Sequence, residues 1–130
     1  MPSLPSIDHL ALTVTDVERS VAFYSALWGT EPSATLTDGP FVRRKFDLGA
    51  GLGLGLTQHA AGQGASAFDA LNPGLDHVGF AVDTVAELRE WAAHLEHLGV
   101  EHSGLVEAGY GTVLSFKDPD GIALEFFAAS

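Results

Sequence analysis

The sequence contains no cysteine. Disulfides, thiolate metal sites and a cysteine nucleophile are therefore excluded. Basic residues are scarce: six Lys and Arg stand against 17 Asp and Glu, a formal net charge of -11. Nucleic acid and anionic membrane surfaces both call for a basic footprint, so neither is an expected partner. No apolar run is long enough to span a bilayer. The opening "MPSLPSIDHL" carries no basic segment followed by an apolar run, and a cytoplasmic protein is expected. A phosphate-binding glycine loop is missing too. The stretch "LGAGLGLGLTQH" (48–59) is rich in glycine, but G-x-G-x-x-G would need glycine where Leu54 or Leu56 stands.

What is present fits one domain with a real core: 130 residues, 46% of them hydrophobic. The chain repeats itself. "IDHLALTVTDVERSVAFYSALWG" from Ile7 and "LDHVGFAVDTVAELREWAAHLEHLG" from Leu75 each run from an apolar residue through Asp-His into an alternating stretch. A helix pattern follows in each, ending at Gly29 or Gly99. Thr15-x-x-Glu18 and Thr84-x-x-Glu87 both match a capping box at the helix start. Val17, Val21, Tyr24 and Trp28 share one helical face; Val85, Leu88, Trp91 or Ala92, Leu95 and Leu98 share the other's. Three strands are expected after each helix, near 32–37, 41–48 and 51–58, then near 103–107, 111–117 and 121–127. "KDPDG" (117–121) reads as a turn. The predicted fold class is α+β, a tandem βαβββ, with module one at about 5–59, a linker at about 60–74 and module two at about 75–128.

Alternation along the strands predicts one bulky and one bare face. Leu10, Leu12 and Val14 oppose His9, Ala11 and Thr13; Val78, Phe80 and Val82 oppose His77, Gly79 and Ala81. Ile122, Leu124 and Phe126 oppose Gly121, Ala123 and Glu125, and Leu52, Leu54 and Leu56 oppose Gly51, Gly53 and Gly55. The bulky face should pack on the helices. On the bare face stand His9, His77 and Glu125, two imidazoles and a carboxylate, a set that suits a facial metal site with open positions. The blander reading is a pair of structural histidines and a surface carboxylate. Recurrence of the histidine at one place in both repeats favours the metal.

With "IDHLALTVTDVERSVAFY", "LDHVGFAV" and "SFKDPDGIALEFF", the sequence resembles the vicinal oxygen chelate superfamily. That group contains glyoxalase I, extradiol dioxygenases, methylmalonyl-CoA epimerase, fosfomycin-resistance thiol transferases and bleomycin-resistance proteins. The resemblance implies two βαβββ modules forming a curved-sheet cup around a divalent ion (Fe, Mn, Ni or Zn) that chelates neighbouring oxygens of a small-molecule substrate. It also implies His9, His77 and Glu125 as ligands, and a homodimer in which modules pair within or across chains. The family's fourth ligand position falls on Gly55, or on Thr57 after a two-residue slip.

The expected function is thus a metal-dependent lyase, isomerase or dioxygenase. The alternatives are a bleomycin-resistance-like drug-binding protein without catalysis, or a regulatory or metal-storage member. His59 shares the parity of Gly55 and Thr57 and is a candidate for proton transfer or an extra ligand. Tyr110 is a second catalytic candidate, reaching in from a loop. Arg43 and Lys45 share one strand face, suited to a substrate carboxylate or else to guarding an exposed edge. Phe41, Phe46, Phe116 and Phe127 are either ligand walls or core. His94, His97 and His102 read as solvated.

Overall fold

A computed structural model describes residues 1–61 and 67–130; the middle of the expected linker lies outside them. The chain divides into two compact units, Met1–Ala65 and Ser66–Ser130. Unit 1 runs β1 (His9–Thr13), α1 (Val17–Trp28), β2 (Ala34–Leu36), β3 (Phe41–Asp47) and β4 (Gly53–His59). Unit 2 runs β5 (Val78–Ala81), α2 (Val85–His97), β6 (His102–Ala108), β7 (Gly111–Lys117) and β8 (Ala123–Ala129). Each unit is the expected βαβββ. The sheets have the matching orders β1-β4-β3-β2 and β5-β8-β7-β6, with one parallel pair each, β1 with β4 and β5 with β8. A single sheet therefore brings the first and last strands of its module side by side.

The bulky faces meet the helices as expected. In unit 1 Leu12, Leu54, Leu56 and Phe46 are buried with Val17, Val21, Tyr24 and Leu27 of α1. The rings of Tyr24, Trp28 and Phe46 lie 5.1 to 6.4 Å apart. In unit 2 the Trp91 ring of α2 stacks on Phe126 at 4.3 Å, and Phe116 stacks on Phe126 at 5.2 Å. Val85, at the first turn of α2, stays exposed instead of joining this core.

Local chemistry corrects several expectations. The cap of α1 is Asp16, not Thr15; its Oδ1 accepts the N–H groups of Glu18 and Arg19 at 3.1 Å each. A carboxylate can satisfy two orphan amides and also faces the positive helix end. Val17 N–H donates to Gln58 Oε1 at 2.8 Å, so β4 helps to hold the helix start. Thr84 does cap α2, accepting from Glu87 N–H at 3.1 Å. The return bond of Glu87 goes one residue earlier, to Asp83 N–H.

The glycine stretch divides in two. Gly49, Ala50 and Gly51 all have positive φ (80°, 51° and 77°) and form the β3–β4 turn, closed by Leu48 N–H to Leu52 C=O. Hence β4 starts at Gly53, and Gly51 is not on the strand. In "KDPDG" the Asp118 side chain is buried and accepts the N–H groups of Asp120 and Ile122, a purely structural use of the acid.

Candidate metal and ligand site

Each sheet has a face turned away from its helix. In unit 2 this face carries His77 and Glu125. His77 sits just before β5, and its Nε2 lies 3.4 Å from Glu125 Oε1. Its other nitrogen, Nδ1, donates to Asp76 Oδ1 at 2.6 Å. That bond fixes the ring's tautomer and orientation and leaves Nε2 directed at the carboxylate. It is also the main cause raising the His77 pKa; partial burial opposes it, and the Glu125 charge adds to it. Glu125 faces Gly79 across the parallel pair. A Cβ at 79 would stand 3.3 Å from Glu125 Oε1, so the bare residue makes room for the carboxylate.

Unit 1 repeats half of this arrangement. His9 Nδ1 donates to Asp8 Oδ1 at 2.7 Å, which likewise leaves Nε2 outward. The bond lowers the Asp8 pKa, as does the charge of His9 and, more weakly, that of Lys45. His9 and Asp8 line an open depression of about 260 Å³ with Lys45, Asp47 and Gly53. Among the described residues, no group of three or more His, Asp or Glu side chains able to hold a metal gathers within either unit.

Strand register decides which residue of β4 matches Glu125. Glu125 pairs with Gly79, two residues after His77; Gly55 pairs with Ala11, two residues after His9. Gly55 therefore holds the equivalent place, and Thr57 does not. Thr57 is buried and committed elsewhere: its Oγ1 accepts Arg43 Nε–H at 2.7 Å.

The remaining candidates are dispersed. His59 ends β4, six residues beyond Gly53, which pairs with His9; that is ~20 Å along the strand. Its ring meets the edge of Phe41. Tyr110 lies in the β6–β7 turn, exposed, with its ring 5.8 Å from Phe127, two residues past Glu125. The four phenylalanines divide evenly: Phe46 and Phe116 are core, whereas Phe41 and Phe127 are half-buried and share the faces of Gly55 and Glu125.

Two expectations fail. β3 is interior, flanked by β4 and β2, so Arg43 and Lys45 guard no edge. Arg44, on the helix side, pairs with Glu18 at 2.8 Å. His102 is not solvated: only 13% of its side chain is exposed, Nδ1 accepts Gly104 N–H, and Nε2 lies 3.2 Å from Glu96. Sequence reading also missed the structural role of Asp8 and Asp76, although the repeated Asp-His pair was the signal for it.

The fold has close counterparts. A glyoxylase/bleomycin resistance protein/dioxygenase domain from Frankia sp. EAN1pec is 30% identical, with a TM-score of 0.89, covering 98% of this chain and 94% of that one. The glyoxalase family protein from Enterococcus faecalis is 23% identical, with a TM-score of 0.77 and coverage of 94% and 96%. The fosfomycin resistance protein FosX from Listeria monocytogenes is 22% identical, with a TM-score of 0.76 and coverage of 98% and 94%. A FosX variant at 20% identity, with a TM-score of 0.73 and coverage of 98% and 93%, was solved with Mn(II) and 1S,2S-dihydroxypropylphosphonic acid. No functionally curated protein is matched by the sequence. A family profile matches residues 6–126, spanning both βαβββ units and every candidate ligand, and by it this chain belongs to the Glyoxalase/Bleomycin resistance protein/Dioxygenase superfamily.

Proposed function

We propose that the protein is a metal-dependent enzyme that acts on a small molecule through two neighbouring oxygens. His77 and Glu125 hold a divalent ion together with His9, from the same chain or from the partner of a homodimer. The observation that carries this reading is the approach of His77 Nε2 to Glu125 Oε1 with Nδ1 already bound to Asp76. An imidazole so oriented, facing a carboxylate with a carboxylate behind it, is the donor arrangement that borderline divalent ions favour. The ligand solved with FosX bears hydroxyls on adjacent carbons, in keeping with such chelation.

When bound, the ion supplies Lewis acidity toward the chelated oxygens. The protein's own residues do the rest. Asp76 and Asp8 keep His77 and His9 in one tautomer. Gly79 leaves Glu125 unobstructed. His59 lies ~20 Å along β4 from the His9 pairing position, beyond reach of an ion held by His9 or of oxygens chelated to it, and takes no part in the proposed chemistry. Tyr110, at the Phe127 end of the unit 2 face, is the proposed acid–base group.

The test is metal content after purification in the presence of Mn, Fe, Ni or Zn. One bound equivalent is expected for the wild type, and loss of it in His77→Ala and Glu125→Gln with far-UV circular dichroism unchanged. Full retention of metal in both variants would overturn the reading. Binding of a cationic drug that survives His9→Ala in metal-free protein would instead support sequestration.

A further inference from the structure

Unit 1 holds a cation that the metal reading does not use. Arg43 stands on the Gly55 face of an interior strand and is half-buried there. It is fixed at three points. Nε–H donates to buried Thr57 Oγ1 at 2.7 Å. The guanidinium lies over the Phe41 ring, 4.7 Å from its centroid. The stem crosses Gly55, where a Cβ would stand 3.2 Å from Arg43 Cδ. Glycine at 55 thus admits this side chain, as Gly79 admits Glu125.

A guanidinium has five N–H donors, and Nε uses one. The terminal fork of Nη1 and Nη2 keeps four, and among the described residues no carboxylate meets it. That is notable in a chain with 17 acidic residues, where Arg44 next door is paired with Glu18. Lys45, two residues along the same face, differs. It borders the depression that contains Asp8 and Asp47, and its charge acts on Asp8. The cationic face therefore offers a guanidinium fork held at three points, with Leu36 opposite Arg43 on β2 and Phe41 beside it.

We infer that Arg43 is an anion-anchoring residue that binds the carboxylate of a small organic monoanion end-on through Nη1 and Nη2. A planar fork matches a carboxylate in two parallel hydrogen bonds, and the flanking Leu36 and Phe41 suit an apolar body attached to it. One net charge favours a monocarboxylate over a phosphonate or phosphate dianion. The anion site stands on unit 1 alone. Its assignment to the substrate rests on the function proposed above, and makes that substrate a carboxylic acid in addition to a chelator.

The test is titration of the full-length protein with benzoate, read by isothermal titration calorimetry in every variant and, where Arg43 is present, also by its Nε–Hε NMR resonance, with inorganic phosphate in parallel. Saturable movement of that resonance by benzoate is expected, with affinity lowered about 10–100-fold in Arg43→Gln and preserved in Arg43-intact Glu125→Gln. Arg43→Lys, which keeps charge and fold but loses the fork, should fall between. Benzoate binding unchanged in Arg43→Gln, or tighter binding of phosphate than of benzoate, would overturn the inference. Binding lost in Glu125→Gln yet kept in Arg43→Gln would overturn it also, while leaving the metal reading intact.

Discussion

The two units are copies in topology but differ in the charged side chains on their bare faces. At the matching place of the last strand, unit 1 has Gly55 and unit 2 has Glu125. On the next strand Lys45 faces Gly55 where Ser115 faces Glu125, and Arg43 faces Thr57 where Val113 faces Phe127. Each unit presents an imidazole, to which unit 1 adds a guanidinium and unit 2 a carboxylate. In both, a glycine on or beside the charged residue's strand clears the space it occupies. A duplicated scaffold has kept its helix-facing side apolar in both copies and diverged on the face that the core does not need.

Four sets of substitutions would break or sharpen that comparison. The largest effect is expected in the shared, helix-facing half. Phe126→Ala removes a ring stacked between Trp91 and Phe116 and should cost about 3–5 kcal/mol; its unit 1 counterpart, Leu56→Ala, should cost about 2–5 kcal/mol. Urea denaturation measures both, and a cost under ~1 kcal/mol at either would mean that the packing described is wrong.

Next come the Asp-His pairs. Asp76→Asn should weaken metal binding about 10–100-fold by loosening the His77 tautomer, and Asp8→Asn should do the same for His9. Competition with a chelator reads the affinity. An effect at Asp76 without one at Asp8 would remove His9 from the ligand set.

Gly55→Glu gives unit 1 the acid of unit 2. Its φ is ordinary, so the obstacle is the Arg43 stem, whose Cδ, 3.2 Å from a Cβ at 55, would have to shift by a few tenths of an ångström. The new carboxylate should occupy the guanidinium fork, and benzoate affinity should drop about tenfold or more. Undiminished benzoate binding would show that the fork and position 55 are not neighbours in function.

The smallest effect is at the helix starts. Asp16→Ala leaves two backbone N–H donors without their acceptor and Thr84→Ala one, so the costs should be about 1–2 and about 0.5–1 kcal/mol. The ranking, not the values, is what thermal unfolding of the two variants would decide.

The repeat, the strand alternation and the recurring Asp-His dipeptide were legible in the residues, because each depends on neighbours a few positions away, though the hydrogen bond within that dipeptide was not. The α1 cap was misplaced by one residue because Thr15 and Asp16 are both good caps, and only backbone geometry at Asp16 (φ -142°, ψ 103°) selects between them. Gly51 was read as strand because alternation continues through it; the positive φ of three consecutive residues ends the strand there. His102 looked solvated because nothing local announces its bond to Glu96 in the helix before it.

The sequence by itself determined the two βαβββ units, the bulky and bare faces and the presence of two histidines and a glutamate on the bare ones. Periodicity carries that information, since apolar burial needs every second side chain of a strand on one side. Only the tertiary structure decided that Gly55, not Thr57, matches Glu125, that β3 is interior, and that Arg43 is pinned by Thr57 and Phe41. Those facts depend on which strands pair and in what register, which is set by contacts between residues far apart in the chain.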